Sequence, residues 1–283
     1  MIAPVSAAKV GVADAIDDRA APELCFYRDA LECLNVARAP YLVGGAYAYA
    51  LYTGIERHTK DLDIFVRARD CGRVLTVLRD AGYRTEVAFT HWLAKAFSGN
   101  HLIDVIFGSG NGLCAVDDAW FTHAQAADLL GVPVLLTPPE EMIWSKAFIM
   151  ERERFDGADI GHVLRACGRR LEWERLIARF GTHWPVLLAH VLLFRYAYPG
   201  EADTIPWRVV RRLLDRAAPT QTVNGGAART DVASGEHICR GTCLSREYMH
   251  DVRHWGYRDA RVRPLGRMTA DEVAHWMAAF EHE

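Results

Sequence analysis

The chain has 283 residues, of which 51% are hydrophobic and 24% charged, and its formal charge is −3. That is enough apolar material for one large domain or two modest ones, and the charge balance gives no global nucleic-acid footprint. Seven cysteines without framework spacing suit a reducing cytosol, the first residues lack the apolar run of a secretory signal, and the longest greasy stretch, 186–194, is half a membrane span; together they predict a cytoplasmic protein with no membrane partner.

Residues 1–21 read as a mobile N-terminal arm. Leu24, Tyr27, Leu31 and Leu34 recur at helical spacing and predict a helix from about Pro22 to Ala37. "YLVGG" (41–45) reads as a buried strand breaking into a glycine turn, "AYAYALY" as a short helix and "LDIFV" as a second strand. A helix over 71–82 ends at Gly82. "YRTEVA" reads as a strand, and "HWLAKAF" and "HLIDVIF" form a hairpin around "SGN". Thr137 stands three residues before Glu140, with Pro138 at the first helical position, which predicts a capped helix start. From there to Ala217 the text is helical, with breaks near Gly157, Gly168, Gly181 and Pro199. Few apolar residues and several glycines mark 217–236 as a linker, and "TADEVAHWMAAFEHE" as a closing helix. The fold class is therefore α/β, with a small mixed-sheet domain at 22–136, a helical domain at 137–217, and a linker and C-terminal tail at 218–283.

Within "KDLDIFV", Asp61 and Asp63 fall on one face of a strand, roughly 6–7 Å apart at the backbone, while Leu62, Ile64 and Val66 anchor the other. Unpaired carboxylates are costly away from water. A hard divalent cation shared by both compensates them, and magnesium also leaves positions for water and phosphate. Asp104, inside the apolar run "LIDVIF", adds a third acid. Three acids on two adjacent strands suit two ions about 3.5–4 Å apart, one activating a hydroxyl and one holding a triphosphate. Standing alone, a D-x-D at a strand end is more often structural; the third acid and the glycine pair turn the balance. Gly44 and Gly45 allow close backbone approach, and the helix that follows offers free amides to a phosphate.

The ordered set Val43-Gly44-Gly45, Asp61-Leu62-Asp63 and Asp104 resembles the polymerase-beta-like nucleotidyltransferase superfamily. It is most similar to the minimal bacterial branch that includes the abortive-infection toxins of type IV toxin–antitoxin systems. The resemblance covers about residues 40–165. It implies a nucleotidyltransferase domain that binds an NTP and two magnesium ions, with Asp61, Asp63 and Asp104 both catalytic and metal-ligating. It further implies nucleotide-binding roles for Gly44, Gly45, Arg57, Thr59, Lys146 and Asp156, with Asp159 the alternative to Asp156. The acceptors it suggests are a tRNA, a protein or an aminoglycoside-like small molecule, and an antitoxin would be the protein partner. The common Gly-Ser is Gly-Gly here, which removes a hydroxyl but no metal ligand.

By physical role, Lys146 can neutralise a phosphate as a mobile point charge. The arginines from Arg152 to Arg216 either converge on RNA phosphates or, more ordinarily, form solvated helix faces paired with local acids. Cys239 and Cys243, with His237, His250 and His254 nearby, lack paired zinc-ligand spacing. No G-x-S-x-G elbow or P-loop lysine motif occurs. The expected reaction is metal-dependent transfer of a nucleoside monophosphate from an NTP to a hydroxyl on RNA, protein or a small molecule, releasing pyrophosphate. The competing readings are a catalytically silent nucleotide-binding module serving as sensor or protein partner, and an antibiotic adenylyltransferase.

Overall fold

The computed structural model describes residues 22–218 and 237–279; the predicted arm, most of the predicted linker and residues 280–283 lie outside them. Helix α1 (Pro22–Val36) buries Phe26, Tyr27, Ala30, Leu31 and Leu34, the stripe its spacing marks out. Strand β1 (Leu42–Val43), helix α2 (Gly45–Thr53), strand β2 (Asp61–Phe65) and helix α3 (Ala68–Asp80) follow in the expected order. Helix α3 turns Cys71, Val74, Leu75 and Leu78 inward, and Gly82, with φ +93°, makes the left-handed turn after it.

Strands β3 (Arg84–Phe89), β4 (Leu93–Ser98) and β5 (His101–Ile106) form an antiparallel meander. β5 runs parallel to β2, which is antiparallel to β1. A short helix α4 (Asp118–Thr122) leads to the hairpin β6 (Gln125–Leu129) and β7 (Val132–Leu136), with β7 parallel to β1. The result is a seven-stranded mixed sheet in the order β3-β4-β5-β2-β1-β7-β6. Its last hairpin is the element the sequence pattern did not announce. Both turn residues, Leu130 (φ 55°) and Gly131 (φ 79°), are left-handed, and a leucine stands where such a turn ordinarily shows Asn or Asp.

Leu62, Ile64, Ile103 and Val105 are at most 1% exposed and share one core with α1 and α3. Because strands alternate, the residues between them, Asp61, Asp63 and Asp104, share the opposite face. Burying each large aliphatic side chain contributes roughly 1.5–3 kcal/mol, which anchors the two strands while the acids remain on a partly open surface.

Five helices follow: α5 (Pro139–Lys146), α6 (Gly157–Cys167), α7 (Trp173–Phe180), α8 (Trp184–Ala197) and α9 (Trp207–Ala217). The breaks at Gly157, Gly168, Gly181 and Pro199 fall where the sequence puts them. Residues 173–197 make one helical run long and apolar enough, by length and composition, to cross a membrane. It turns at Gly181, and Leu176, Phe180, Leu187, Val191 and Phe194 enter the core.

The start of α5 differs from expectation. Pro138 is the residue before the helix, and no side chain caps it. The Thr137 amide instead donates to the Val43 carbonyl (2.8 Å), tying the helix start to β1. Glu140 is drawn away to accept from the Glu172 amide (2.7 Å) and from Arg175 (2.5 Å). Its fully buried neighbour Glu141 takes Arg175 and Arg179, the latter at 3.0 Å. Buried carboxylates demand such partners, and a side chain so engaged cannot cap.

Other arginines of this part also pair with acids, three of the four across 34–38 residues: Arg165 with Glu201, Arg169 with Asp203, Arg212 with Glu174, and Arg211 with Asp215. None of these four is ion-paired with Asp61, Asp63 or Asp104; Arg154, paired to Asp156, is the arginine of the set whose charge reaches Asp63.

The C-terminal segment contributes the short parallel pair β8 (Ile238–Cys239) and β9 (Arg258–Asp259) with helices α10 (Met249–His254) and α11 (Ala270–Ala278). A reciprocal capping box, Thr269 with Glu272, starts α11. The segment docks against the loop beyond β5: Asn111 donates to the Cys243 carbonyl (3.1 Å), and Trp276 covers Gly110 so closely that a β-carbon there would lie 2.8 Å from the indole nitrogen.

Candidate active site

β2 and β5 set Asp63 directly beside Asp104 in parallel register, with Asp61 two residues before Asp63 on the same face. One carboxylate oxygen from each lies within 4.8 Å of the other two. Among the described residues this is the only cluster of three His, Cys, Asp or Glu side chains able to hold a metal ion in common. The histidines and cysteines of the C-terminal segment form no such group; Cys239 instead donates its thiol to Asp251 (3.3 Å).

The three acids differ in their surroundings. Asp61 accepts a 2.6 Å hydrogen bond from the Thr59 hydroxyl, which fixes its orientation. Asp63 makes no ion pair among the described residues. Burial, then the charges of Asp61 and Asp104, push its carboxyl up to about 7, against opposing contributions from Lys146 and Arg154. Burial also raises Asp104, and Lys95, whose ammonium is 3.1 Å from Asp104 Oδ1, opposes the shift. The Lys95 ammonium is the partner of this buried oxygen, though its approach is poorly aligned for a hydrogen bond. Three crowded carboxylates and a purely oxygen donor set fit a hard divalent cation.

The glycine pair is dictated by β2. A β-carbon on Gly44 would lie 2.2 Å from the Phe65 ring, and one on Gly45 would lie 1.7 Å from Asp63 Oδ2. Gly45 also has φ +53°. The Gly44 amide is engaged by the Asp63 carbonyl (2.9 Å), so the amides open to an anion are those of the first turn of α2, at Gly45, Ala46 and Tyr47. Gly45→Ala is therefore expected to push the Asp63 carboxylate aside. It should weaken binding of a divalent ion by the three acids by about tenfold or more, as displaced supporting groups do at metal sites. A manganese titration beside a melting curve checks this; unchanged affinity in a folded variant contradicts it.

Lys146, at the end of α5, pairs with both Asp156 (2.7 Å) and Asp159 (2.9 Å). The sequence left the choice between these two acids open, and both reach the lysine. Burial pushes Asp156 up, but hydrogen bonds from Arg154 and Lys146 outweigh it and hold the carboxyl below its usual value. Arg57 bridges Asp159 (2.6 Å) and the Tyr49 hydroxyl (3.0 Å), and lies over the Tyr49 ring. Tyr49 is hydrogen-bonded in turn to His162 (2.6 Å). Arg57, Lys146 and Asp156 thus belong to one network that fastens α2 to α5 and α6, whereas Thr59 belongs to Asp61. Lys95, Arg154, Tyr49 and His162 were not singled out for the site from sequence. The hairpin register could have revealed Lys95, because a two-residue turn at Gly99-Asn100 places it opposite Asp104.

No family profile and no curated protein sequence matches the chain. Solved structures do. The antibiotic-resistance factor ANT(2'')-Ia is 18% identical, with 59% of this chain and 95% of that one covered at a TM-score of 0.41. The lincosamide antibiotic adenylyltransferase LnuA is 17% identical, with 50% and 96% covered at 0.37. The Megavirus polyadenylate synthase is 12% identical, with 73% and 52% covered at 0.37.

Proposed function

We propose that the protein is a metal-dependent nucleotidyltransferase that moves a nucleoside monophosphate from an NTP to a hydroxyl and releases pyrophosphate. The observation that carries this reading is the convergence of Asp61, Asp63 and Asp104 within 4.8 Å of one another, beside the glycine pair and the first turn of α2. Asp61, Asp63 and Asp104 would hold two magnesium ions, which supply charge stabilisation at the reacting phosphate and lower the pKa of a bound hydroxyl.

The remaining residues have separable tasks. Thr59 holds Asp61 in its liganding rotamer through the 2.6 Å hydrogen bond. Gly45 leaves room for the Asp63 carboxylate, and the open amides of α2 receive a phosphate oxygen. Lys146 and Arg154 are the cations whose charge reaches Asp63, and they would neutralise the triphosphate. Arg57 and Asp159 keep Lys146 aligned. Little covalent chemistry is asked of the chain; it positions and stabilises charge. The acceptor is a hydroxyl of a small molecule, an RNA or a protein.

The test is transfer of label from α-phosphate-labelled NTPs to tRNA, protein and aminoglycoside or lincosamide acceptors, with magnesium or with chelator. Wild type is expected to label one acceptor class only with the metal, and Asp61→Ala none. Metal-independent nucleotide binding shared by wild type and Asp61→Ala contradicts the proposal. Tight, metal-dependent binding without transfer to any acceptor would make the chain a nucleotide-binding module instead.

A further inference from the structure

Lys95 is the one cation ion-paired to a member of the acid cluster among the described residues; Lys146 and Arg154, whose charges reach Asp63, are themselves paired to Asp156, and Lys146 also to Asp159. β4 places Lys95 directly across from Asp104, and β3 places Glu86 on its far side. Glu86 is exposed and already held by Arg84 at 2.6 Å, so Asp104 is the acid that Lys95 serves, at 3.1 Å. Both side chains are mostly covered, 24% exposed for the lysine and 16% for the aspartate. Ala94 and Ala96, its neighbours along β4, are fully buried on the opposite face, which points the lysine stem to the acids' side. By contrast, Asp61 has only a hydroxyl partner and Asp63 has no ion pair among the described residues. Asp104 is therefore the one member of the trio with an ion pair among the described residues, made through its Oδ1.

Resting on the functional reading above, we propose that Lys95 is a built-in counter-cation that competes with metal for Asp104 and makes the two ion positions unequal. A first divalent ion is held chiefly by Asp61 and Asp63. A second, against Asp104, must share that carboxylate with Lys95 and is retained only when a nucleoside triphosphate adds negative charge beside it. Like-charged neighbours a few ångströms apart in a half-buried site repel appreciably, and added phosphate charge offsets that repulsion. Lys95 thereby couples full metal loading to the presence of nucleotide and answers Asp104's charge before it arrives.

Manganese binding without nucleotide, read from the electron-paramagnetic signal of the free ion, tests this directly. Wild type and Lys95→Arg are expected to bind one ion well and a second weakly. Lys95→Met, which keeps the stem and removes the charge, is expected to tighten the second site by about tenfold or more. Adding a non-hydrolysable NTP should bring wild type to two ions and shrink the difference. Circular dichroism monitors folding, and Lys95→Gln replaces Lys95→Met if the latter does not fold. Equal stoichiometry and affinity in wild type and the neutral variant overturn the proposal, as does weaker binding by a folded neutral variant. Absence of manganese binding by every form, with or without NTP, would instead overturn the functional reading on which it rests.

Discussion

Replacing Asp63 by asparagine is expected to lower nucleotidyl transfer by about 10³-fold or more without loss of the fold. Asp63 lies between the other two acids, paired in register with Asp104, and its carboxylate rests against Gly45. Charge stabilisation by a shared ion is worth several kcal/mol at the transition state, and each 1.36 kcal/mol is a factor of ten. Asparagine keeps the shape but offers a neutral oxygen and a donor that repels a cation. The same neutrality relieves repulsion from Asp61 and Asp104, so the metal-free variant should melt no lower than wild type. Turnover numbers for transfer and a melting curve in chelator check both halves. A folded variant with less than tenfold loss would contradict the assignment.

The second large effect concerns pH. In metal-free protein the Asp63 carboxyl is pushed up to about 7 from an ordinary value of 3.8, first by burial and then by its acidic neighbours. The folded state therefore keeps this proton when the unfolded chain has already lost it. Its contribution to stability is complete below about pH 4, is lost as pH rises toward 7, and changes little beyond. Partial solvent access to the carboxyl discounts the linkage arithmetic to a loss on the order of 2–4 kcal/mol. In chelator, wild type should thus melt several degrees lower at pH 8 than at pH 5, relative to Asp63→Asn measured at both. Magnesium should restore the difference at pH 8, because bound metal replaces the missing proton. A pH profile identical in wild type and variant would show that Asp63 is not so held.

Much of the site could be read from the chain because its evidence is local. Asp61 and Asp63 stand out because they interrupt an apolar alternation, and Asp104 because it sits alone in "LIDVIF". The parallel pairing that brings the two strands together follows from the single helix α3 and the meander between them. Side-chain partnerships across distant elements were harder. Thr137 and Glu140 satisfy the capping spacing, yet half-buried Arg175, 35 residues beyond Glu140, takes that carboxylate. Arg57 reads locally as a phosphate contact beside the acids, but tertiary packing brings Asp159 to it across about a hundred residues. The β6–β7 hairpin escaped because Leu130 holds a left-handed conformation that composition does not advertise. Lys95 lies between these extremes: hairpin register was sufficient to place it, but only an acid across the ladder makes it informative.

The proposed function requires the three carboxylates to act together on a divalent ion beside a nucleotide. A crystal structure with manganese and a non-hydrolysable NTP measures this most directly, through anomalous scattering. Metal peaks ligated by Asp61, Asp63 and Asp104 are expected, with the triphosphate against the first turn of α2. Nucleotide bound elsewhere, or manganese absent from these aspartates at millimolar concentration while Lys95 alone answers their charge, would contradict it.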